Sequence, residues 1–138
     1  MDIKKWVIGG ITGGVLFFLL GWVIYGMLLK SFMEGHPGAA GNVFREPDFL
    51  YLAIGNLAMG FAIAYILLKG NVTSMAGGFI TAGIVGLLIG VGYDSMIYAT
   101  TNVMSKTAMA TDVAASTAMI AIVGAVVVMV MGMGKKTA

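Results

Sequence analysis

The sequence predicts an all-α, polytopic membrane protein: a bundle of four transmembrane helices with both termini on the cytoplasmic side. Hydrophobic residues make up 59% of the 138-residue chain and charged residues only 10%, against about 25% charged in a typical soluble domain. The mean hydropathy is +0.98. Four apolar runs, each about as long as a membrane-crossing helix of 20 residues, lie between short polar segments.

The four apolar runs predict helices at residues 6–29, 49–68, 76–100 and 113–133, within a single domain that covers residues 1–138. Helices are expected because lipid cannot satisfy free backbone groups, and because the runs exceed the length of a barrel strand. The first run is too long for the apolar region of a secretory signal, so we expect it to be retained. Asp112 directly precedes the fourth run and is expected to cap that helix.

The basic residues are distributed unevenly between the two predicted sides of the membrane. The positive-inside rule places the side that carries more of them, together with both termini, in the cytoplasm. We therefore predict a multi-pass protein of the inner (plasma) membrane. The richer side carries Lys4, Lys5, Lys69, Lys135 and Lys136, and the other side carries Lys30, Arg45 and Lys106.

The two halves of the chain resemble each other. The stretch "GGITGGVLFFLLGWVIYGM" at residues 9–27 aligns with "GGFITAGIVGLLIGVGYDSM" at residues 77–96 with one inserted residue. A duplicated helical hairpin would produce this pattern, as in transporters built from parallel repeats. Chance similarity between two glycine-rich spans would produce it too, and both interpretations stay open.

Small residues recur at steps of four along the predicted helices. Such spacing places them on one face, where they let neighbouring transmembrane helices approach closely. In the third helix the stripe continues into a carboxylate and a phenol, Asp94 and Tyr98. The predicted packing residues are Gly10 and Gly14 in the first helix and Gly78, Ala82, Gly86 and Gly90 in the third.

Asp94 is the one carboxylate inside an apolar run, about 27 Å along its predicted helix and thus just beneath the outer interface. Two roles stay open: a structural anchor, or a site that binds a proton or a ligand. An anchor would pair with a basic residue of the outer side. Asn56 lies at a similar depth, so a hydrogen bond between Asn56 and Asp94 is expected, with a substrate contact as the alternative.

Other polar clusters point to no cofactor and no metal. Four loop residues that could ligate a metal are separated by glycines, which favours a solvated loop. Three methionines near the end of the chain stand two residues apart and share no helix face. A GxSxG nucleophile motif, a phosphate-binding loop and a basic stripe for nucleic acid are all absent from the sequence. The loop residues are Glu34, His36, Glu46 and Asp48, and the methionines are Met129, Met131 and Met133.

Two stretches carry a family resemblance: "LGWVIYGMLLKSFME" at residues 20–34 and "GYDSMIYATTNVMSK" at residues 92–106. With four spans, they resemble small bacterial four-helix integral membrane proteins of unknown function. The resemblance implies a fold and a membrane location. It implies no activity and no site residues.

We predict a non-enzymatic membrane protein that packs as a homo-oligomer or as a subunit of a larger membrane complex. Its partners would be the lipid bilayer and other membrane proteins, not nucleic acid. The alternative is a small oligomeric transporter or channel that uses Asp94 and Asn56 near the outer side, with a substrate that the sequence does not identify. An embedded enzyme ranks lower, because no acid–base pair or metal cluster is predicted at membrane depth.

Overall fold

The structure, a computed structural model, describes residues 1–133, in which the secondary-structure elements are helices. It contains four long helical segments, here called rods, that are long and apolar enough to cross a membrane. The predicted all-α fold with four candidate spans is therefore confirmed, whereas membrane insertion and orientation stay predictions. Gly134, Lys135 and Lys136 lie outside the described residues. The elements are α1 (Ile3–Gly21), a π segment (Trp22–Leu28) that continues α1 in the same rod, α2 (Lys30–Glu34), α3 (Phe49–Lys69), α4 (Met75–Thr100) and α5 (Lys106–Gly132).

Helices α1 and α3 form an antiparallel hairpin whose backbones touch. Gly10 faces the Phe61 ring, and Gly14 faces Leu57. Between these two contacts, a Cβ added to Gly13 would lie 3.0 Å from the Cα atom of Gly60. The small residues of α1 therefore set the distance between the two helices, as they do where transmembrane helices lack a hydrophobic driving force for association.

Helices α4 and α5 form the second antiparallel hairpin. Gly78, Ala82 and Gly86 are buried against α5, where Gly78 meets the backbone of Gly124 and Gly86 meets Ile120. Gly90 is half-buried, whereas Tyr98, at the end of the same stripe, is 38% exposed. The stripe thus contacts α5 over most of its length but not at its final turn.

The two hairpins meet mainly through α1 and α5, while α3 and α4 hardly touch. The helices are therefore ordered α3, α1, α5, α4 across the bundle. A two-fold symmetric arrangement of the hairpins would make the α1–α5 and α3–α4 contacts equivalent, and these contacts differ. Their difference concerns the packing of the hairpins and not their origin, so the duplication stays a prediction. The core between the hairpins is apolar and includes Phe17, Ile63, Leu67, Val123, Val127 and Met131.

The bundle has two distinct ends. At the end that we call the turn end, α3 is joined to α4 by a tight turn in which Asn71 adopts the left-handed conformation (φ 51°), as residues just past a helix C-terminus often do. At the other end, the loop end, residues 35–48 and 101–105 form two connections that bind each other. The Ala40 N–H donates to the Asn102 carbonyl oxygen over 2.8 Å, and Gly38 packs on the backbone of the second connection.

Helix α5 begins at Lys106, not at Val113, so the prediction that Asp112 caps it is wrong. Ser105 is the cap: its hydroxyl accepts a hydrogen bond from the Ala108 N–H over 3.1 Å. The segment after Ser105 contains Lys, Ala and Met, which favour helix despite the polar residues among them. Asp112 therefore lies inside the helix.

Replacing Ser105 with Ala is expected to lower the free energy of unfolding by about 1–2 kcal/mol, the usual cost of losing an N-cap. The same hydroxyl donates to the His36 carbonyl oxygen over 2.7 Å, so the change also detaches one connection from the other. Thermal unfolding in detergent, followed by far-UV circular dichroism, measures the effect. Ser31→Ala, at an exposed position in α2, is the matched control. Equal melting of both variants and wild type would contradict the prediction.

Candidate functional site

Within residues 1–133, Asp94 is the one charged side chain that is buried, with 4% of its surface exposed. It stands six residues before the end of α4, which is about 9 Å along the helix axis from the loop end. An ionisable group at this depth is a functional candidate by default, because burying its charge is costly.

The neighbour of Asp94 is a second acid. Asp112 on α5 lies close enough to Asp94 for its carboxyl group to act on that of Asp94. Asp112 is six residues from the start of α5, about 9 Å from the loop end, so the two carboxyl groups lie at the same depth. The predicted basic partners Lys30, Arg45 and Lys106 are exposed instead. Asp94 thus meets a carboxyl group where a structural ion pair was one expectation.

Two hydroxyl groups complete the cluster, which we call the carboxyl site: Tyr25, Asp94, Asp112 and Ser116. The phenol of Tyr25 is 3.5 Å from the main-chain carbonyl oxygen of Asp112 and lies near the side chains of Asp112 and Ser116. The Ser116 hydroxyl donates to the Val113 carbonyl oxygen over 3.3 Å. Three rods, α1 with its π segment, α4 and α5, therefore supply side chains to one site.

Gly90 lies next to the carboxyl site. It is one turn from Asp94 on the same face of α4, and a Cβ added there would be 3.4 Å from the Ser116 hydroxyl oxygen, an ordinary van der Waals contact. The small-residue stripe therefore extends to the site without being crowded at Gly90.

One carboxyl oxygen of the site lacks a partner. Within the described residues, Asp94 Oδ2 is buried and makes no hydrogen bond. Leaving a buried polar oxygen unpaired costs free energy, and such atoms are rare in folded proteins. Two carboxylates in contact repel each other, and a hydrogen bond between two carboxyl groups requires a proton on one of them. The arrangement is therefore suited to hold a proton or a small cation.

Tyr25 reaches the site from a π segment that the sequence did not predict. The segment ends where the Leu29 N–H donates to the Ile24 carbonyl oxygen over 2.8 Å, five residues back. π turns are rare and occur frequently at functional sites, because the extra residue turns a side chain away from its α-helical direction. The sequence signal that was available is Tyr25 itself, a phenol in an otherwise apolar run.

Asn56 and Tyr98, the other polar candidates from the sequence, lie apart from the carboxyl site. The Asn56 amide donates to the Leu52 carbonyl oxygen of its own helix over 2.7 Å, and not to Asp94. Its helix, α3, hardly touches α4. Tyr98 is exposed at the outermost turn of α4. Of the three candidates, only Asp94 is part of a multi-helix cluster.

Two of the four loop residues make local contacts. Asp48 caps α3 by accepting the Leu50 N–H, and His36 Nδ1 lies 2.8 Å from the Phe32 carbonyl oxygen while its ring stacks on that of Phe32. In residues 1–133, no three His, Cys, Asp or Glu side chains gather as metal ligands would. Among the methionines, Met131 is buried, and Met129 and Met133 are exposed.

Comparison with known proteins adds no functional information: the chain matches no protein-family model, no curated protein and no solved structure. The resemblance to small four-helix membrane proteins therefore stays a prediction. Function has to be inferred from the geometry of the carboxyl site and from the four candidate spans.

Proposed function

We propose that this chain is a small, non-enzymatic proton transporter or channel of the membrane, in which Asp94 and Asp112 take up and release a proton. The observation that carries the proposal is the burial of Asp94 against a second carboxyl group, with one of its oxygens unpaired. The four apolar rods support the membrane location.

A structural role explains the carboxyl site less well. Buried ions that stabilise a fold are paired with the opposite charge, and even such pairs often contribute less than apolar residues of the same size. Asp94 and Asp112 are both acids and do not attract each other in this way. Burial of Asp94 therefore lowers the stability of the fold, and no ion pair offsets the loss. Ionisable groups kept at membrane depth at a cost in stability typically belong to ion pathways and proton relays.

The position of the site suggests how protons would reach it. The carboxyl site lies about 9 Å from the loop end, whereas the α4–α5 contact below it is closed by Gly86 against Ile120 and by Gly78 against Gly124. Access from the loop end is therefore the shorter route. We propose that the working unit is an oligomer, in which contacts between copies provide the remaining path.

The membrane and the orientation are part of the same proposal. Lys4, Lys5 and Lys69 lie at the turn end, and the positive-inside rule would place that end in the cytoplasm of a cell whose inner (plasma) membrane holds the protein. The carboxyl site would then load protons from the outer side. Its substrate would be the proton.

Proton flux into proteoliposomes tests this function. The wild-type protein, reconstituted with a potassium gradient and valinomycin, is expected to move protons faster than empty vesicles, as reported by an entrapped pH-sensitive dye. Asp94→Asn and Asp112→Asn are each expected to reduce that flux by about tenfold or more, the typical contribution of a positioned proton-transfer group being at least this large. A sodium gradient, applied in place of the membrane potential, tests whether a metal cation can replace the proton.

The matched control is Glu46→Gln, which neutralises an exposed carboxylate in the connection at the loop end. It makes the same carboxyl-to-amide replacement on the same side as Asp94→Asn, yet it lies outside the carboxyl site, so wild-type flux is expected. Wild-type flux no faster than that of empty vesicles would overturn the proposal. Flux through Asp94→Asn equal to that of wild type would overturn it as well.

A second candidate is the non-enzymatic packing subunit that the sequence predicts, working as a homo-oligomer or within a larger membrane complex. An apolar groove along the outside of α4 and α5 favours it, because small residues that suit close helix contact line the groove. If the wild-type protein shows no proton flux, this candidate becomes the favoured function. The small residues are Gly83, Ala114, Ala118 and Ala121.

A further inference from the structure

We propose a second binding site at the turn end: a cleft between the start of α1 and the end of α3 that binds the phosphate group of an anionic phospholipid. The inference rests on the membrane location in the proposed function, but not on proton movement. Its ligand chemistry, a phosphate diester with one negative charge, is unrelated to that of the carboxyl site.

The cleft has a volume of about 370 Å³ and receives cationic side chains from two helices. Lys5 belongs to the first turn of α1, and Lys69 is the last residue of α3. The wall also includes Met1, Asp2, Leu68 and Asn71. Because α1 and α3 are antiparallel and in backbone contact, Lys5 and Lys69 line one space.

Among residues 1–133, the cleft carries more positive than negative side chains. The carboxylate that these residues place in the wall is Asp2, which accepts the main-chain N–H of Lys5 over 3.1 Å and thus serves as the cap of α1. The Lys69 ammonium group lies 5.9 Å from the centroid of the Tyr65 ring, a weak cation–π contact at an exposed helix end. The two lysines outweigh the single acid, so the cleft favours an anion.

The surroundings favour an anion carried by a lipid. Basic pockets between transmembrane helices at the cytoplasmic side suit lipid headgroups, and anionic lipids are concentrated there. Ile3, Val7 and Tyr65 expose apolar surface on the same two helices, where acyl chains would lie. Free phosphate lacks those chains and would bring more negative charge close to Asp2. A monoanionic phosphodiester at the membrane surface therefore fits the cleft better than inorganic phosphate does.

Native mass spectrometry of the full-length protein, released from detergent in the presence of dioleoylphosphatidylglycerol or dioleoylphosphatidylcholine, tests this site. The expected result is preferential retention of phosphatidylglycerol. The double variant Lys5→Gln/Lys69→Gln is expected to lose about tenfold in affinity for it, because each lysine near the surface contributes to the attraction of anionic lipid. Lys30→Gln/Lys106→Gln, which removes the same charge at the loop end, is the control and should bind as wild type does.

Three results would overturn the inference: equal retention of the two lipids, unchanged binding by Lys5→Gln/Lys69→Gln, or displacement of phosphatidylglycerol by millimolar inorganic phosphate, which would show that the site takes a free ion. Far-UV circular dichroism checks that both double variants are folded, and the single variant Lys69→Gln, at an exposed helix end, replaces the first pair if it is not. Proton flux is measured separately, so loss of flux with selective lipid binding intact would contradict only the proposed function.

Discussion

Replacing Gly60 with Ala is expected to destabilise the protein strongly, whereas the same change at Gly55 in the same helix is not. A Cβ at Gly60 would collide with main-chain atoms of Gly10, Gly13 and Gly14 on α1. A side chain could rotate away from such a contact, but a backbone cannot, so α1 and α3 would have to separate. Overpacking of a well-packed interior costs about 1–3 kcal/mol, and contact with main-chain atoms on three residues places this variant at the upper end.

The control sharpens the test because intrinsic helix propensity acts in the opposite direction. Ala is better than Gly in a helix interior by about 1 kcal/mol. An added Cβ at Gly55 meets nothing within 4 Å, so Gly55→Ala should melt at or above the wild-type temperature. Thermal unfolding of both variants in detergent measures the difference. If Gly60→Ala and Gly55→Ala melt at the same temperature, α1 and α3 do not form the close backbone contact.

The four spans and the glycine contacts were accessible from the sequence because each depends on a local regularity. Apolar run length indicates the rods, and the step of four from Gly78 to Gly90 indicates a shared helix face. The structure places that face against α5. Neither regularity requires knowledge of which helix lies opposite, which is why composition and spacing were sufficient.

The carboxyl site could not be predicted from the sequence in the same way. It depends on where α5 begins and on the change from α-helix to π-helix after α1. Hydropathy places the beginning of α5 at Val113, where the apolar run begins, although the helix continues through a polar segment to Ser105. This difference moves Asp112 from a cap into the wall that faces Asp94. The π segment that directs Tyr25 to the same place has no signature in composition. Depth alone predicts a hydrogen bond between Asn56 and Asp94, but depth does not reveal that α3 and α4 lie apart.

Asp94→Asn is expected to increase the free energy of unfolding while it reduces proton flux by about tenfold or more, a combination that separates a functional carboxyl from a structural one. The amide has nearly the same shape and carries its own protons, so it can donate to the Asp112 carboxylate without uptake of a proton. Hydrogen bonds to charged groups contribute about 1.5–3 kcal/mol. A residue kept for function at a cost in stability is expected to respond in this way.

A double-mutant cycle with Asp112→Asn completes the test. If the two side chains touch, the change in unfolding free energy of Asp94→Asn/Asp112→Asn should differ from the sum of the single changes by about 0.5–3 kcal/mol, the range seen for residues in contact. Additive values would mean that the carboxyl groups do not interact. A loss of stability in Asp94→Asn would instead indicate an anchor, because an anchor depends on the negative charge that the amide removes. The sign of this one change therefore decides between the two roles that the sequence left open for Asp94.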